Sequence, residues 1–288
     1  MNSPFHPGET YVQSRLGFAE QSNRIGQKFI RSQIPDQHRD FFESQPFVFI
    51  GAVDETGHPW ASYLAGPKGF ISAPTDQQLV LRASLPTDDP LYGHLQKSQK
   101  IGMIGIEPHT RRRNRLNGRI NRVTDERLVL DIDQSFGNCP KYIQRRKIGL
   151  RQQSGESYTC DTLCEDLRST IKNADIFFIT SRTKEMNQQP NTGVDMSHRG
   201  GERGFVKVID EHWLSFADYP GNRFFNTLGN IHTDPRIGLL FLDFDNHRTL
   251  HIKATAEIQW IQQERNILVH VDHVLVRPNP TLCIEEFL

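Results

Sequence analysis

Two parts of the 288-residue chain spell the same order of β-forming words. Residues 47–51 (FVFIG) are matched by 176–180 (IFFIT), 60–71 by 193–208, and 79–82 by 213–216. Residues 101–106 and 237–242 follow, each opening on Ile-Gly, and then 114–122 with 250–258 and 128–132 with 267–271. The separation grows only from 129 residues (Phe47 to Ile176) to 139 (Leu128 to Ile267). A register this regular means a duplicated unit. Each unit has about six short strands with Gly, Pro and Asp turns between them and one helix, expected over 89–97 in the first and 222–228 in the second. That pattern predicts a mostly β protein with helices, built from two tandem small antiparallel barrels rather than a parallel sheet. No GxGxxG runs from a strand into a helix, which disfavours a dinucleotide-binding fold of that type. Two such barrels in one chain would pack as a homodimer does, with one interface and two sites free to differ.

The charge balance narrows the function classes. Lys plus Arg and Asp plus Glu number 34 each. There is no global basic field to gather nucleic acid. The one local run, Arg111, Arg112, Arg113 and Arg115, reads first as a solvated strand edge and second as a small anion site. The N-terminal stretch has no apolar run of a signal peptide, and no segment approaches the length of a membrane span. Cys139, Cys160, Cys164 and Cys283 form neither a CxxC pair nor a disulfide framework. Reduced thiols, a cytoplasmic location and no metal site are the expectation.

The chain divides into four parts. Residues 1–45 form a helical segment, with Phe18, Ile25, Phe29 and Ile30 on an amphipathic helix and a second helix starting at Asp36. Residues 46–136 are the first barrel, and 137–172 a long connection with a helix over 161–172. Residues 173–288 are the second barrel. A connection of that length is functional or disordered more often than not, and its NCPKYI word (138–143) favours order.

The stretch DMSHRGGERGF (195–205) sets Asp195, Ser197 and Arg199 on one strand face and His198 on the other, just before a glycine bend. Its counterpart SYLAGPKGF (62–70) keeps the bend and the Phe but lacks the His and the Arg. Together with FGNCPKYIQ (136–144), DYPGN (218–222) and NTLGN (226–230), this stretch makes the chain resemble the pyridoxamine 5'-phosphate oxidase-like, FMN-binding split-barrel proteins, in a tandem form. The resemblance covers about residues 5–275. Substrate-binding residues of the oxidase proper are not found, so the resemblance implies FMN without implying that reaction.

Carried onto this sequence, the resemblance places flavin contacts at Ser197, His198, Arg199, Phe216, Ala217, Asp218, Asn222, Arg223 and Asn226. A phosphate is well served by a helix N-terminus and an arginine fork. Asn222 is expected as N-cap of the second unit's helix, with Arg223 in its first turn. Each residue also has a plain reading: Asn222 as a simple cap, Arg199 as a solvated strand residue, His198 and Phe216 as core. The connection offers Asn138, Lys141, Tyr142 and Arg145 as ring or substrate contacts, or else as a structural strut. Cys139 as a nucleophile lacks a visible base. In the first unit the matching strand and turn (ASLPTDDP, 83–90) carry no arginine, and Asp88 and Asp89 would repel a phosphate. One site per chain, on the second unit, is therefore expected, with the first unit as its cover. The expected function is that of an FMN-dependent oxidoreductase acting on a small substrate. The alternative is a non-catalytic flavin or haem carrier or sensor. With no reductase domain in the sequence, electrons would come from reduced nicotinamide or another donor in trans. No nucleic acid or membrane is expected as partner, and the chain is expected as a monomer with an internal pseudo-dimer, or as a homodimer.

Overall fold

Residues 47–53 are apolar or small throughout, lie between Pro46 and Asp54, and form a fully buried strand, β1 (Phe47–Val53). The same composition makes β10 (Ile176–Arg182), also buried along its whole length. In the computed structural model, which describes residues 3–150, 155–186, 189–262, 264–278 and 282–287, these two strands are the centre of the protein. The first sheet contains β1, β2 (Pro59–Ala65), β3 (Ile71–Thr75), β4 (Gln78–Leu81), β5 (Lys100–Glu107), β6 (Arg112–Thr124) and β7 (Arg127–Gly137). The second contains β10, β11 (Val194–Gly200), β12 (Val206–Val208), β13 (Trp213–Ala217), β14 (Arg236–Asp243), β15 (Arg248–Ile261) and β16 (Glu264–Pro278). Their strand orders, β2-β1-β5-β6-β7-β4-β3 and β11-β10-β14-β15-β16-β13-β12, become identical when each strand is replaced by its repeat counterpart. The ladders are antiparallel. The connection adds β8 (Arg146–Leu150), paired with β17 (Leu282–Phe287), and β9 (Tyr158–Cys160), paired with β16.

Three apolar clusters hold this arrangement. One fills the first unit, including Phe41 and Phe42 of α3 (Asp36–Ser44). One fills the second, including Leu167 and Ile171 of α4 (Glu165–Asn173). Each unit thus begins with a helix that seals its own core. The third cluster lies between the sheets and draws on equivalent positions of both, among them Phe49 with Phe178 and Ile104 with Leu240. Phe49 and Phe178 stack on one another, ring centroids 3.5 Å apart and planes 16° from parallel. The Ile-Gly pairs of the sequence explain the close approach. A Cβ on Gly102 would lie 2.6 Å from the Val194 carbonyl oxygen, and one on Gly238 would lie 2.5 Å from that of Pro59. Each glycine lets a strand of the other unit lie directly against its own.

Helix α1 (Pro7–Arg15) packs across onto α5 (Asn226–Thr233), where Gly8 and Gly229 meet and Gln13 donates to the Phe224 carbonyl at 3.0 Å. Helix α2 (Ala19–Phe29) follows it. Two helix expectations need correction. Residues 89–97 form turns: the Asp89 carboxylate accepts from the Leu91 amide at 2.9 Å as a helix N-cap would, but Gly93 is left-handed, φ 76°, which stops a helix within its first turn. The helix expected over 222–228 begins at Asn226, since Arg223 and Phe225 are left-handed, φ 65° and 62°. Among the described residues no helix is long and apolar enough to cross a membrane.

Gly102→Ala and Gly238→Ala are each expected to cost about 1–3 kcal/mol by forcing the sheets apart. Urea denaturation checks this, and unchanged midpoints for both variants would contradict the close approach.

Candidate functional site

A cleft of about 850 Å³, counting its open mouth, lies between the two units. It is lined from β11 by Ser197, His198 and Arg199, from β13 and the loop after it by Phe216, Ala217, Asp218 and Asn222, and from the start of α5 by Asn226. Arg223 lines it as well. All nine residues expected to contact flavin therefore surround one cavity. From the connection, Asn138 and Tyr142 also line it. Tyr142 has φ 65°, stacks on Tyr219 with centroids 5.1 Å apart, and donates from its hydroxyl to the Pro220 carbonyl at 3.2 Å. The connection is thus folded over the cavity mouth. Lys141 and Arg145 are exposed and line no part of it, and Arg145 Nε donates instead to the His109 carbonyl at 3.2 Å. The chain reversal at Tyr142 is what turns them away.

The arginine run holds the main correction. Arg111 and Arg112 are exposed, but Arg113 and Arg115 point into the cavity from β6 of the first unit. Arg115 is buried and donates from Nη2 to Ser197 Oγ and from Nη1 to Asp195 Oδ1 at 3.2 Å. Asp195 also accepts from Asn117 at 2.8 Å and from Asn230 at 2.8 Å, and Asn230 donates in turn to Ser181 at 3.0 Å. Thr227 donates to Ser197 at 3.1 Å, and Asn226 donates to the buried Glu9 of α1. Burial, with Asp195 nearby, pushes the Glu9 carboxyl well above its ordinary range. The strand period of two could have flagged Arg113 and Arg115 as sharing one face. Nothing in the sequence shows that this face meets the other unit.

Arg113 Nη1 lies 2.6 Å from His198 Nδ1. Guanidinium has no acceptor. His198 Nδ1 must therefore accept, which leaves the imidazole proton on Nε2. Burial holds the His198 pKa well below the ordinary histidine value, and Arg113, Arg199 and Arg146 push the same way. The ring is neutral at physiological pH and presents one N–H donor. Arg199 binds Asp218 at 2.8 Å, and Asp218 is held from the other side by Arg265 at 3.0 Å. Asn222 caps no helix. Its Oδ1 accepts from the Phe224 amide at 3.1 Å, and its Nδ2 donates to Asn138 Oδ1 at 3.2 Å. Arg223 stacks on Phe18 at 4.1 Å and donates to Gln21 at 2.8 Å, so its guanidinium serves α2.

Two features bear on what the cavity would hold. Its lining carries Arg113, Arg115, Arg199 and Arg223 against Asp218 alone. The buried lining atoms without a hydrogen-bond partner, Arg113 Nε, Arg115 Nε, Arg199 Nε and Asn138 Nδ2, are all donors. Buried donors are normally paired, so a cavity of this kind suits an acceptor-rich anion. The FMN phosphate and the oxygen-bearing edge of its ring fit that donor set.

The matching place in the first unit is filled by the protein itself. Ser62 stands to Ile50 as Ser197 stands to Ile179. Ser62 Oγ donates to Asp89, which also accepts from Arg277 Nη1 at 2.7 Å, while Arg277 Nη2 binds Asp88 at 2.8 Å. His251 holds the position of Arg115, opposite Leu240 as Arg115 is opposite Ile104. Burial and Arg277 lower its pKa to about 3.

Residues 34–152 match the sequence profile of the pyridoxamine 5'-phosphate oxidase family. The first unit belongs to the pyridoxamine 5'-phosphate oxidase-like family. The match includes β6, with Arg113 and Arg115, and the word 136–144 that carried part of the resemblance. The chain is similar to a Lactobacillus delbrueckii structure described as a pyridoxamine 5'-phosphate oxidase (13% identity, 40% of this chain and 98% of that chain, TM-score 0.29). It is similar also to a Clostridium acetobutylicum protein related to general stress protein 26, of the pyridoxinephosphate oxidase family (12%, 42% and 92%, TM-score 0.26). A third is a conserved Corynebacterium diphtheriae protein (10%, 42% and 98%, TM-score 0.29). No match is found among curated proteins.

Arg115→Ala is expected to cost about 3 kcal/mol, because it leaves Asp195 buried without its cation. Arg113→Ala, at a half-buried site with no carboxylate partner, should cost less, about 1–2 kcal/mol, for the His198 Nδ1 acceptor it leaves unpaired. Urea denaturation of the two variants checks this, and equal losses would contradict the assigned burial and pairing.

Proposed function

We propose that each sheet is a split barrel and that the chain is an FMN-dependent oxidoreductase, with one flavin held between the barrels and a small molecule as substrate. The observation that supports this best is the set of unpaired buried donors in the cavity, on Arg113, Arg115, Arg199 and Asn138. A dianion would pair them, and leaving such donors unpaired costs about 1–3 kcal/mol each. Family membership of the first unit supports the same cofactor.

In this reading Arg115, Ser197 and Thr227 form one preset hydrogen-bonded row, and Arg199 is kept in place by Asp218. Arg113 and neutral His198 add donors that need no proton change near pH 7. Phe216 and Tyr219 supply apolar wall. Asn226, tied to Glu9, orients the start of α5. FMN, when bound, supplies hydride and one-electron chemistry. The protein's own residues bind and orient it, and the Tyr142–Tyr219 stack limits access of water at the mouth. Electrons would come from reduced nicotinamide or a donor in trans.

The test is titration of the protein with FMN, followed by flavin absorbance and fluorescence, for the wild type and for Arg113→Ala and Ser197→Ala. Each variant should bind FMN about tenfold or more weakly, the loss expected for a charge-assisted hydrogen bond. Stopped-flow mixing of the loaded protein with NADH or NADPH should bleach the flavin band. No FMN uptake by the wild type would overturn the cofactor reading. Uptake without reduction by any donor would overturn the oxidoreductase reading and leave a carrier.

A further inference from the structure

A second, wider groove opens beside the cavity, about 1310 Å³ with its mouth. Arg113, Asn138 and Asn222 line both, so the Asn222–Asn138 hydrogen bond stands at the boundary between them. The groove wall is of two kinds. Arg31, Arg111 and Arg112 supply charge, and no carboxylate lines it. Among the described residues none of these three arginines has an ion pair. Glu107, opposite Arg112 on the neighbouring strand, is engaged by Thr110 at 2.8 Å and Gln45 at 3.2 Å. Ile25, Phe29 and Phe224 supply an apolar strip, and Phe29 is 47% exposed. Buried His38 also lines the groove and is held by Ser135 at 2.9 Å. Its burial, with Arg31 and Arg112 nearby, lowers its pKa to about 4, so it adds a neutral polar group and no charge.

Three arginines without counter-ions beside an exposed aromatic ring match a ligand with an anionic head and an apolar body. The unpaired donors Arg113 Nε and Asn138 Nδ2 at the shared wall extend the demand for acceptors towards the cavity. We propose that this groove is the substrate site, taking an amphipathic organic anion whose phosphate or carboxylate rests on Arg31 and Arg112. Its apolar body lies along Phe29 and Phe224, and its far end rests against the wall shared with the cavity, beside Arg113 and the Asn138–Asn222 hydrogen bond. As a substrate site this rests on the flavin reading above. As a binding site it stands on the groove alone.

The experiment uses 2-naphthyl phosphate as the probe, followed by fluorescence anisotropy, with uncharged 2-naphthol as the control. Wild-type protein should bind the phosphate saturably, and more weakly as salt is raised. The double variant Arg31→Gln/Arg112→Gln should bind it about tenfold or more weakly. Because neither arginine lines the cavity, the FMN affinity of that variant should stay within about twofold of wild type. Equal binding of the phosphate by wild type and variant, or equal binding of naphthol and naphthyl phosphate by the wild type, would overturn the proposal. Loss of FMN binding in the double variant would overturn the separation of the two sites. Absence of FMN binding by the wild type would count against the flavin reading and leave the probe result to decide the groove.

Discussion

The stack of Phe49 on Phe178 sets the geometry on which the rest of the molecule depends. These are equivalent residues of the two units, and their contact lies where the pseudo-symmetric sheets meet. An aromatic pair adds only about 0.5–1.5 kcal/mol beyond the area it buries. Its larger consequence is positional. With Gly102 and Gly238 admitting the opposing backbones, it brings β6 of the first unit against β11 of the second. The guanidinium of Arg115 then reaches Ser197 and Asp195 across the interface. Without that approach the candidate site would lack Arg113 and Arg115.

Two pseudo-equivalent places follow from the duplication, and the chain treats them differently. In one, Asp88 and Asp89 meet Arg277, Ser62 donates to Asp89, and the buried charges are paired. In the other, four arginines face one carboxylate, and four buried donors have no partner, against Arg277 Nε alone in the first. Burying an unpaired charge is costly, so a protein that keeps this imbalance has a reason to keep it. Asp89, one of the residues expected to repel a phosphate, instead sits where an anion would bind and serves the first unit as its internal counter-ion.

Much of the fold was legible because strand order is written locally. Runs such as 47–53 and 176–182 lie between turn residues, and their repetition carried the architecture. The nine expected flavin contacts converge on one cavity because they lie on neighbouring elements of one unit. The remainder depends on tertiary contacts that a linear reading does not contain. Arg113 and Arg115 look like a solvated edge until the second unit covers them. Residues 89–97 have helical spacing, but the left-handed backbone at Gly93 breaks it. Arg223 and Phe225 adopt left-handed backbone that neither residue type favours, which delays α5 to Asn226. Lys141 and Arg145 share a polar word with Tyr142, and only the reversal at Tyr142 separates those that face the cavity from those that do not.

One of the two pseudo-equivalent places is proposed to take a flavin, and the other is filled by Asp88 and Asp89. The most direct test is the stoichiometry of FMN on saturated protein, from flavin absorbance against protein concentration after removal of free ligand. One FMN per chain is expected. Two per chain, or none, would contradict it.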